Sequence, residues 1–571
     1  PTTRTKRLRP RCVCFIAVSP SSRSHTNPLR PVSPSPRHTR IVPARYASDT
    51  IMPNLTDEFS RQARAQAHAP AVIAGAHTLG FAAFDAIVWR VATALARAGF
   101  VRGLVVAVTF RDEFAHLVAA CALARLGATQ VPLPEREPPQ VRAGIAAATG
   151  VAVLLTDVGH GADAGVPRHV IDVRAAGSEG APIDPGVRDP HPSAPWLMMH
   201  GSGTTGRAKV MPLSHMQWLA RLQAQRTLLG LRAGEPALCM GTIDFATTRH
   251  RYLETLATGG TIVLFDRQRD GLLYVHRRHH VRVLYASTMH LQQLVDWLPD
   301  DAHHVLQGLR VLRVGNSHVS EPLRARALRS LTPHLYVAYS TNEFGPVTVA
   351  PPDDIARHPG TVGRPAPGVE IRVLDPSGRQ VPPGTPGQIA LRGPGCIDGY
   401  LNDAQATATS FRDGWFQPGD VGTRLADGQL IHRGRSDDMM IFDGINISPT
   451  EIENVMSAHP AVAQAVAFAV PSRVHHHWPV CALTLNPGAH ADADTLRAFA
   501  SERLGMRAPR QVVVIDAIPR TDSGKPLRRA LAERFAAPSP SIAQGAEGAP
   551  GPSREPGDDE RPSGDAPATS G

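Results

Sequence analysis

Residues 84–127 read FDAIVWRVATALARAGFVRGLVVAVTFRDEFAHLVAACALARLG, and this stretch sets the fold class. Phe84, Val88, Val91 and Leu95 recur at helical spacing, and Gly99 follows as a stop. Residues 105–108 are an unbroken Val/Ala run, the pattern of a buried strand, and residues 114–126 return to helix before Gly127. Helix, buried strand and helix in succession predict a parallel sheet. Similar units continue through 311–314. Beyond Gly368 the texture changes to short strands with Pro/Gly turns at 369–374, 388–391 and 429–432. Residues 437–536 read as a compact α+β unit, with a helix at 451–458 and strands at 480–485 and 511–515. The expected fold is therefore α/β: a large N-terminal domain (52–436) of layered sheets and helices with a small β-rich subdomain, plus a small α+β C-terminal domain (437–536).

The bulk numbers agree with a multidomain globular chain, since 571 residues exceed what one hydrophobic core usually supports. Residues 1–51 are rich in Pro, Ser and Arg and precede Met52; they read as a disordered arm, a transit-like leader or mis-assigned upstream sequence. The Pro/Gly/Ser/acid-rich residues 537–571 read as a disordered tail. Of the formal net charge of +10, the leader carries +9 and the tail −4, which leaves +5 on the body. A body so mildly charged gives no nucleic-acid footprint. No apolar run approaches the roughly 18 residues that span a bilayer. The six cysteines are scattered without a C-x-x-C pair, which supports neither a disulfide framework nor a zinc site and suits a reducing cytoplasm.

Among 60 Lys+Arg residues only Lys6, Lys209 and Lys525 are lysine. A chain that uses arginine almost everywhere retains lysine where a compact ammonium on a flexible stem is needed. Lys6 lies in the leader. The other two fall in the loops whose composition most suggests phosphate chemistry, Gly201-Ser-Gly-Thr-Thr-Gly-Arg-Ala-Lys209 and Pro519-Arg-Thr-Asp-Ser-Gly-Lys525.

The first of these loops follows the apolar Trp196-Leu-Met-Met199. Its glycines, Gly203 and Gly206 among them, let backbone N–H groups face a phosphate, and the hydroxyls of Ser202, Thr204 and Thr205 add donors. Gly201 and Gly206 have Walker spacing, but Arg207 stands where the Walker lysine belongs, so a P-loop is a near miss. The loop resembles the signature Ser/Thr-Ser-Gly-Thr-Thr-Gly-x-Pro-Lys-Gly of the adenylate-forming superfamily of acyl-CoA synthetases, luciferases and peptide-synthetase adenylation domains. Ala208 replaces its proline and Val210 its last glycine. Further motifs of that family follow in order: Val362-Gly-Arg-Pro365, Gly399-Tyr-Leu401, Gly419-Asp420, Gly434-Arg-Ser-Asp437, Ser448-Pro-Thr-Glu-Ile-Glu453 and the Lys525 loop. Together they cover about residues 56–536.

The resemblance implies a role for each matching residue. In Tyr339-Ser-Thr-Asn-Glu343, Tyr339 would stack near adenine and Glu343 would hold Mg²⁺. Asn342, where the family usually has threonine, would donate to a phosphate or acyl oxygen. Asp420 would accept from both ribose hydroxyls, Arg435 would contact ribose or phosphate, and Asp437 would be the hinge between domains, which makes 437–536 a mobile C-terminal lid. Lys525 would bridge the attacking carboxylate and the α-phosphate. Gly444 would line the tunnel for the incoming thiol. The acid pocket would draw on residues 243–252, 315–318, beginning with Gly315, and 339–341. Asp244 as an amino-group partner sits about two residues too far from Gly259-Gly260 to match the family's amino-acid carboxylate, and His475-His-His477 reads as an exposed loop rather than a metal site.

The implied function is ATP- and Mg²⁺-dependent conversion of a small carboxylic acid to acyl-AMP with release of pyrophosphate, then transfer to a thiol, that of coenzyme A. Two alternatives stand beside it: a stand-alone adenylation enzyme loading an aryl, acyl or amino acid onto a carrier protein, and a non-catalytic nucleotide-binding relative.

Overall fold

The computed structural model describes residues 54–157, 164–178, 180–184, 191–201, 209–266, 271–299, 301–443, 445–472, 475–521 and 524–536. They form two compact units, one of residues 54–437 with 524–525, the other of 438–521 with 526–536.

In the first unit the helix Phe81–Arg97 buries Phe84, Val88, Val91 and Leu95, the face read from their spacing. Each contributes roughly 1.5–3 kcal/mol by leaving water. The strand Val105–Thr109 follows, then the helix Glu113–Leu126, whose first turn is capped by Asp112 and which ends at Gly127 in the left-handed conformation. Val105–Thr109 lies in a six-stranded sheet in the order Arg168–Val170, Val153–Thr156, Val105–Thr109, Thr129–Pro132, Pro195–Gly201, Lys209–Ser214. Its pairings are parallel except for the closing hairpin of the last two strands.

A second, larger sheet runs in parallel through Pro70–Ala74, Thr261–Leu264, Pro236–Cys239, Val283–Ser287, Val311–Gly315 and Leu335–Thr341. The β-rich part expected beyond Gly368 is present and is joined to this sheet by strand pairing. Gly345–Ala350 and Thr361–Pro365 carry antiparallel pairing from Leu335–Thr341 across to Leu430–Arg435, Asp420–Arg424 and Pro386–Arg392. Gly363 is the crossing point, with φ +95° and so close a passage of Val349 that any Cβ would collide with its backbone.

The second unit has a sheet of Ile445–Ile447, Met440–Phe442, His476–Leu485 and Val462–Ser472, with Gln511–Val514 parallel to His476–Leu485. Helices Pro449–Ser457 and Ala493–Leu504 contribute Ile452, Met456 and Leu496 to its core, against Met440, Ile447 and Leu483. His476 and His477 open a strand, not a loop, because Val462–Ser472 pairs with them as far as Ser472. His477 Nδ1 accepts the Ile441 N–H at 2.9 Å, and His475 Nδ1 lies 2.7 Å from Asp443 Oδ1. Among the described residues no group of three or more His, Cys, Asp or Glu could hold a metal ion, and no helix is long and apolar enough to cross a membrane.

Candidate active site

The strand Leu335–Thr341 delivers Tyr339, and the antiparallel pair Asp420–Arg424 and Leu430–Arg435 delivers Asp420 opposite Arg435. The Tyr339 hydroxyl donates to Asp420 Oδ2 in a short hydrogen bond. His432 Nε2 is 3.7 Å from the same oxygen, and its ring centroid lies 5.0 Å from that of Tyr339. Arg435 Nη1 is 3.4 Å from Asp420 Oδ1, while its Nε and Nη2 reach the two oxygens of Asp437 at 2.8 and 3.2 Å. Asp420 is only 6% exposed. Burial alone would push its pKa up, but His432, the Tyr339 hydroxyl and Arg435 together outweigh burial and hold it below the usual carboxylate range. The same burial and the adjacent carboxylate drive the Tyr339 phenol well above its ordinary value, so it stays a donor. The result is a fixed anion with two acceptor oxygens. The boundary between the two units falls directly after Asp437.

Glu343 lies in the turn between Leu335–Thr341 and Gly345–Ala350, a turn tied by the Phe344 N–H donating to Thr341 Oγ1 at 3.1 Å. Its carbonyl accepts from Ile397 N–H and from Arg221 Nη2, both at 2.8 Å, and Arg221 Nε donates to the Gly395 carbonyl at 2.8 Å. Arg221 is fully enclosed; burial pulls it down to about 10, which leaves it charged at neutral pH. The Glu343 carboxylate accepts the Tyr400 hydroxyl at 3.0 Å, and the Lys209 ammonium stands 4.7 Å from the Tyr400 ring centroid. Asn342 is exposed in the same turn.

Lys209 pairs with Gly201 across the closing hairpin of the six-stranded sheet. The intervening Ser202, Gly203, Thr204, Thr205 and Gly206 lie outside the described residues, as does Gly444. Lys525 is exposed beside Gly524, which has φ +84°, on a loop closed at its base by the Arg520–Pro526 bridge and by the Leu527 N–H donating to the Pro519 carbonyl at 2.9 Å. Gly315 ends the strand Val311–Gly315, where a Cβ would stand 3.0 Å from the Ala338 carbonyl oxygen. Asp244 lies 3.6 Å from His116 Nδ1, an imidazole that burial and Arg249 keep neutral, and 4.0 Å from Arg136 Nη1, so one cationic side chain of the chain itself already neighbours it.

The structure thus joins Tyr339, Asp420, Arg435 and Asp437 in one cluster and Glu343 and Lys209 in another. Three participants carry no role in the sequence reading: His432, Arg221 and Tyr400. Tyr400 had a signal in Gly399-Tyr-Leu401; the other two are single residues whose partners are set by distant strand pairing.

Comparison with known proteins gives the class. Residues 59–401 match the family described as AMP-binding enzyme, and residues 451–525 match the AMP-binding enzyme C-terminal domain. The chain belongs to the AMP-binding enzyme family. It is 31% identical to a feruloyl-CoA synthase of Amycolatopsis sp over 83% of its own length and 98% of that protein's. It is 29% identical to an indoleacetate–CoA ligase of Aromatoleum aromaticum, covering 78% and 91% of the two chains. Among solved structures, the amide bond synthetase McbA from Marinactinospora thermotolerans superposes with a TM-score of 0.76 at 26% identity, over 84% of this chain and 99% of that one.

Proposed function

We propose that this chain uses ATP to activate a carboxylic acid as its acyl adenylate and then passes the acyl group to the thiol of coenzyme A. The observation that carries the reading is Asp420, a buried, ionised carboxylate held by Tyr339, His432 and Arg435 in a chain that matches both AMP-binding enzyme regions in order. Two fixed acceptor oxygens suit a vicinal diol such as that of ribose, with the Tyr339 ring beside adenine. The relatives named as CoA ligases favour coenzyme A over a carrier protein as acceptor.

In the first half-reaction an oxygen of the substrate carboxylate attacks the α-phosphorus of ATP. A carboxyl–phosphate anhydride bond forms, the bond to the β-phosphate oxygen breaks, and pyrophosphate leaves. Lys525 would supply a compact cation for the charge that builds on the transferred phosphate, with Asn342 donating nearby. Residues 202–206 and Lys209 would hold the phosphates. Glu343, its carbonyl fixed by Arg221 and its carboxylate by Tyr400, would hold Mg²⁺ together with phosphate oxygens, since this ion is commonly bound by one or two carboxylates plus substrate phosphates. When bound, the ion neutralises phosphate charge. In the second half-reaction the thiol sulfur attacks the acyl carbonyl, the bond to AMP breaks, and the thiol proton passes to solvent. Asp437 would be the hinge between the two steps and Gly444 would line the thiol path. The proposed compartment is the cytoplasm, where ATP and coenzyme A are both supplied.

The test is to incubate the full chain with ATP, Mg²⁺ and a panel of carboxylic acids, with and without coenzyme A. Acid-dependent pyrophosphate and an acyl thioester are expected with coenzyme A. Adenylate that transfers only to hydroxylamine points to carrier loading, and silence with every acid overturns the ligase reading.

A further inference from the structure

The face of the large sheet that packs on the helix Ala246–Thr258 holds more positive charge than it can neutralise. Tyr285 pairs in register with Cys239 on one neighbouring strand and with Arg313 on the other, so the three side chains share one face. All are buried, Arg313 to 2% exposure. The helix adds Arg251 and Glu254, and Arg251 Nη1 donates to Glu254 Oε2 at 2.7 Å. The Arg251 guanidinium lies 5.6 Å from the centroid of the Tyr285 ring. One carboxylate therefore serves two arginines, and it is engaged by Arg251.

Arg313 forms no ion pair among the described residues, and its Nε has no hydrogen-bond partner. Neither do Arg251 Nε, Glu254 Oε1 or the Tyr285 hydroxyl. Buried polar atoms are nearly always paired, and an unpaired set that converges on one spot points to a missing ligand or water. An unbalanced buried cation is costlier still, because burial does not remove the charge: Arg313 is pulled down only to about 9.

The position of Arg313 is equally informative. A Cβ on Gly315 would stand 3.1 Å from Arg313 Nη1 and 3.0 Å from the carbonyl of Ala338, the residue before Tyr339. The guanidinium thus extends toward the C-terminal ends of Val311–Gly315 and Leu335–Thr341, the end of a parallel sheet where ligands bind. A planar, forked donor there matches a carboxylate with two parallel hydrogen bonds.

We propose that the acid substrate is a dicarboxylate, one carboxylate being adenylated while the other is held by Arg313 with Arg251. This rests on the ligase reading and adds the substrate class to it. Tyr285 would donate to the same carboxylate, and the apolar residues around it would enclose the linking carbons.

The test uses matched acid pairs with the full chain, ATP, Mg²⁺ and coenzyme A: succinate against butyrate, glutarate against valerate, and isophthalate against benzoate. In each productive pair the wild type should favour the diacid in kcat/KM by about 30-fold or more. Arg313→Met, close in shape but uncharged, should lose that preference, with monoacid kcat/KM rising because no unpaired guanidinium now rejects it, and an ATP-induced rise in unfolding temperature shows that the variant folds. A wild type that prefers the monoacids overturns the inference even if the variant does not fold, and leaves the ligase reading standing. A diacid preference that survives Arg313→Met overturns the role of Arg313. No acid-dependent pyrophosphate from any acid overturns the ligase reading, and the dicarboxylate with it.

Discussion

The two sides of the candidate site meet near Gly315 and Tyr339, yet their polar groups are satisfied in opposite ways. On the Asp420 side each charge has a partner within the chain: the carboxylate faces Tyr339, His432 and Arg435, and Arg435 also engages Asp437. On the Arg313 side two buried arginines share one carboxylate, and several donors have no acceptor. The first is built before its ligand arrives, which suits a nucleotide common to every turnover. The second is incomplete without an anion, which suits selection among acids: an acid lacking that anion leaves the arginine unpaired and is rejected by that cost.

The largest effect should come from a residue that belongs to neither side. Lys525→Ala is expected to lower acyl-AMP formation by about a thousandfold, the order of magnitude for one preorganised cation or donor at a developing charge. ATP binding and acid binding, each measured by equilibrium titration, should stay nearly intact. Unchanged adenylation would remove Lys525 from the chemistry; loss of ATP binding would make it part of the nucleotide side. Next in size, Asp420→Asn should raise the KM for ATP on the order of 50-fold, because a charged acceptor is lost and Arg435 and His432 are left without their anion. The KM for the acid should not move. If both constants rise together, the two sides are coupled and the contrast between them fails.

What the sequence made legible follows the same division. The helices over 84–95 and 114–126 and the strand at 105–108 were readable because their periodicity is local. The merging of the strands beyond Gly368 with the parallel sheet was not, since it depends on Thr361–Pro365 pairing with Leu430–Arg435, far along the chain and through a bulge. Lysine scarcity drew attention to Lys209 and Lys525. The same bias hid Arg221, Arg251 and Arg313: in a chain that places arginine nearly everywhere, three buried ones look like the rest, and only their surroundings separate Arg221, with its two backbone acceptors, from Arg313, whose Nε has no partner among the described residues.

The smallest expected effect bears on the acid side alone. Burial pushes Glu254 up to about 7 from an ordinary value of 4.5, despite the attraction of Arg251 and Arg313. The fold therefore prefers the protonated carboxyl, and the associated stability is fully present below pH 4.5 and is lost as pH rises toward 7. Glu254→Gln is neutral at every pH and escapes that loss. Relative to the variant, the wild type should lose on the order of 2 kcal/mol of unfolding free energy between pH 4.5 and 7.5, read by chemical denaturation of both proteins across that range. A Glu254 raised to about 7 carries only part of a negative charge near neutrality, which leaves the two arginines further from balance and favours an incoming anion. If instead the variant is the one that weakens as pH rises, Glu254 is ionised in the fold and balances the arginines, and the two sides of the site are satisfied alike.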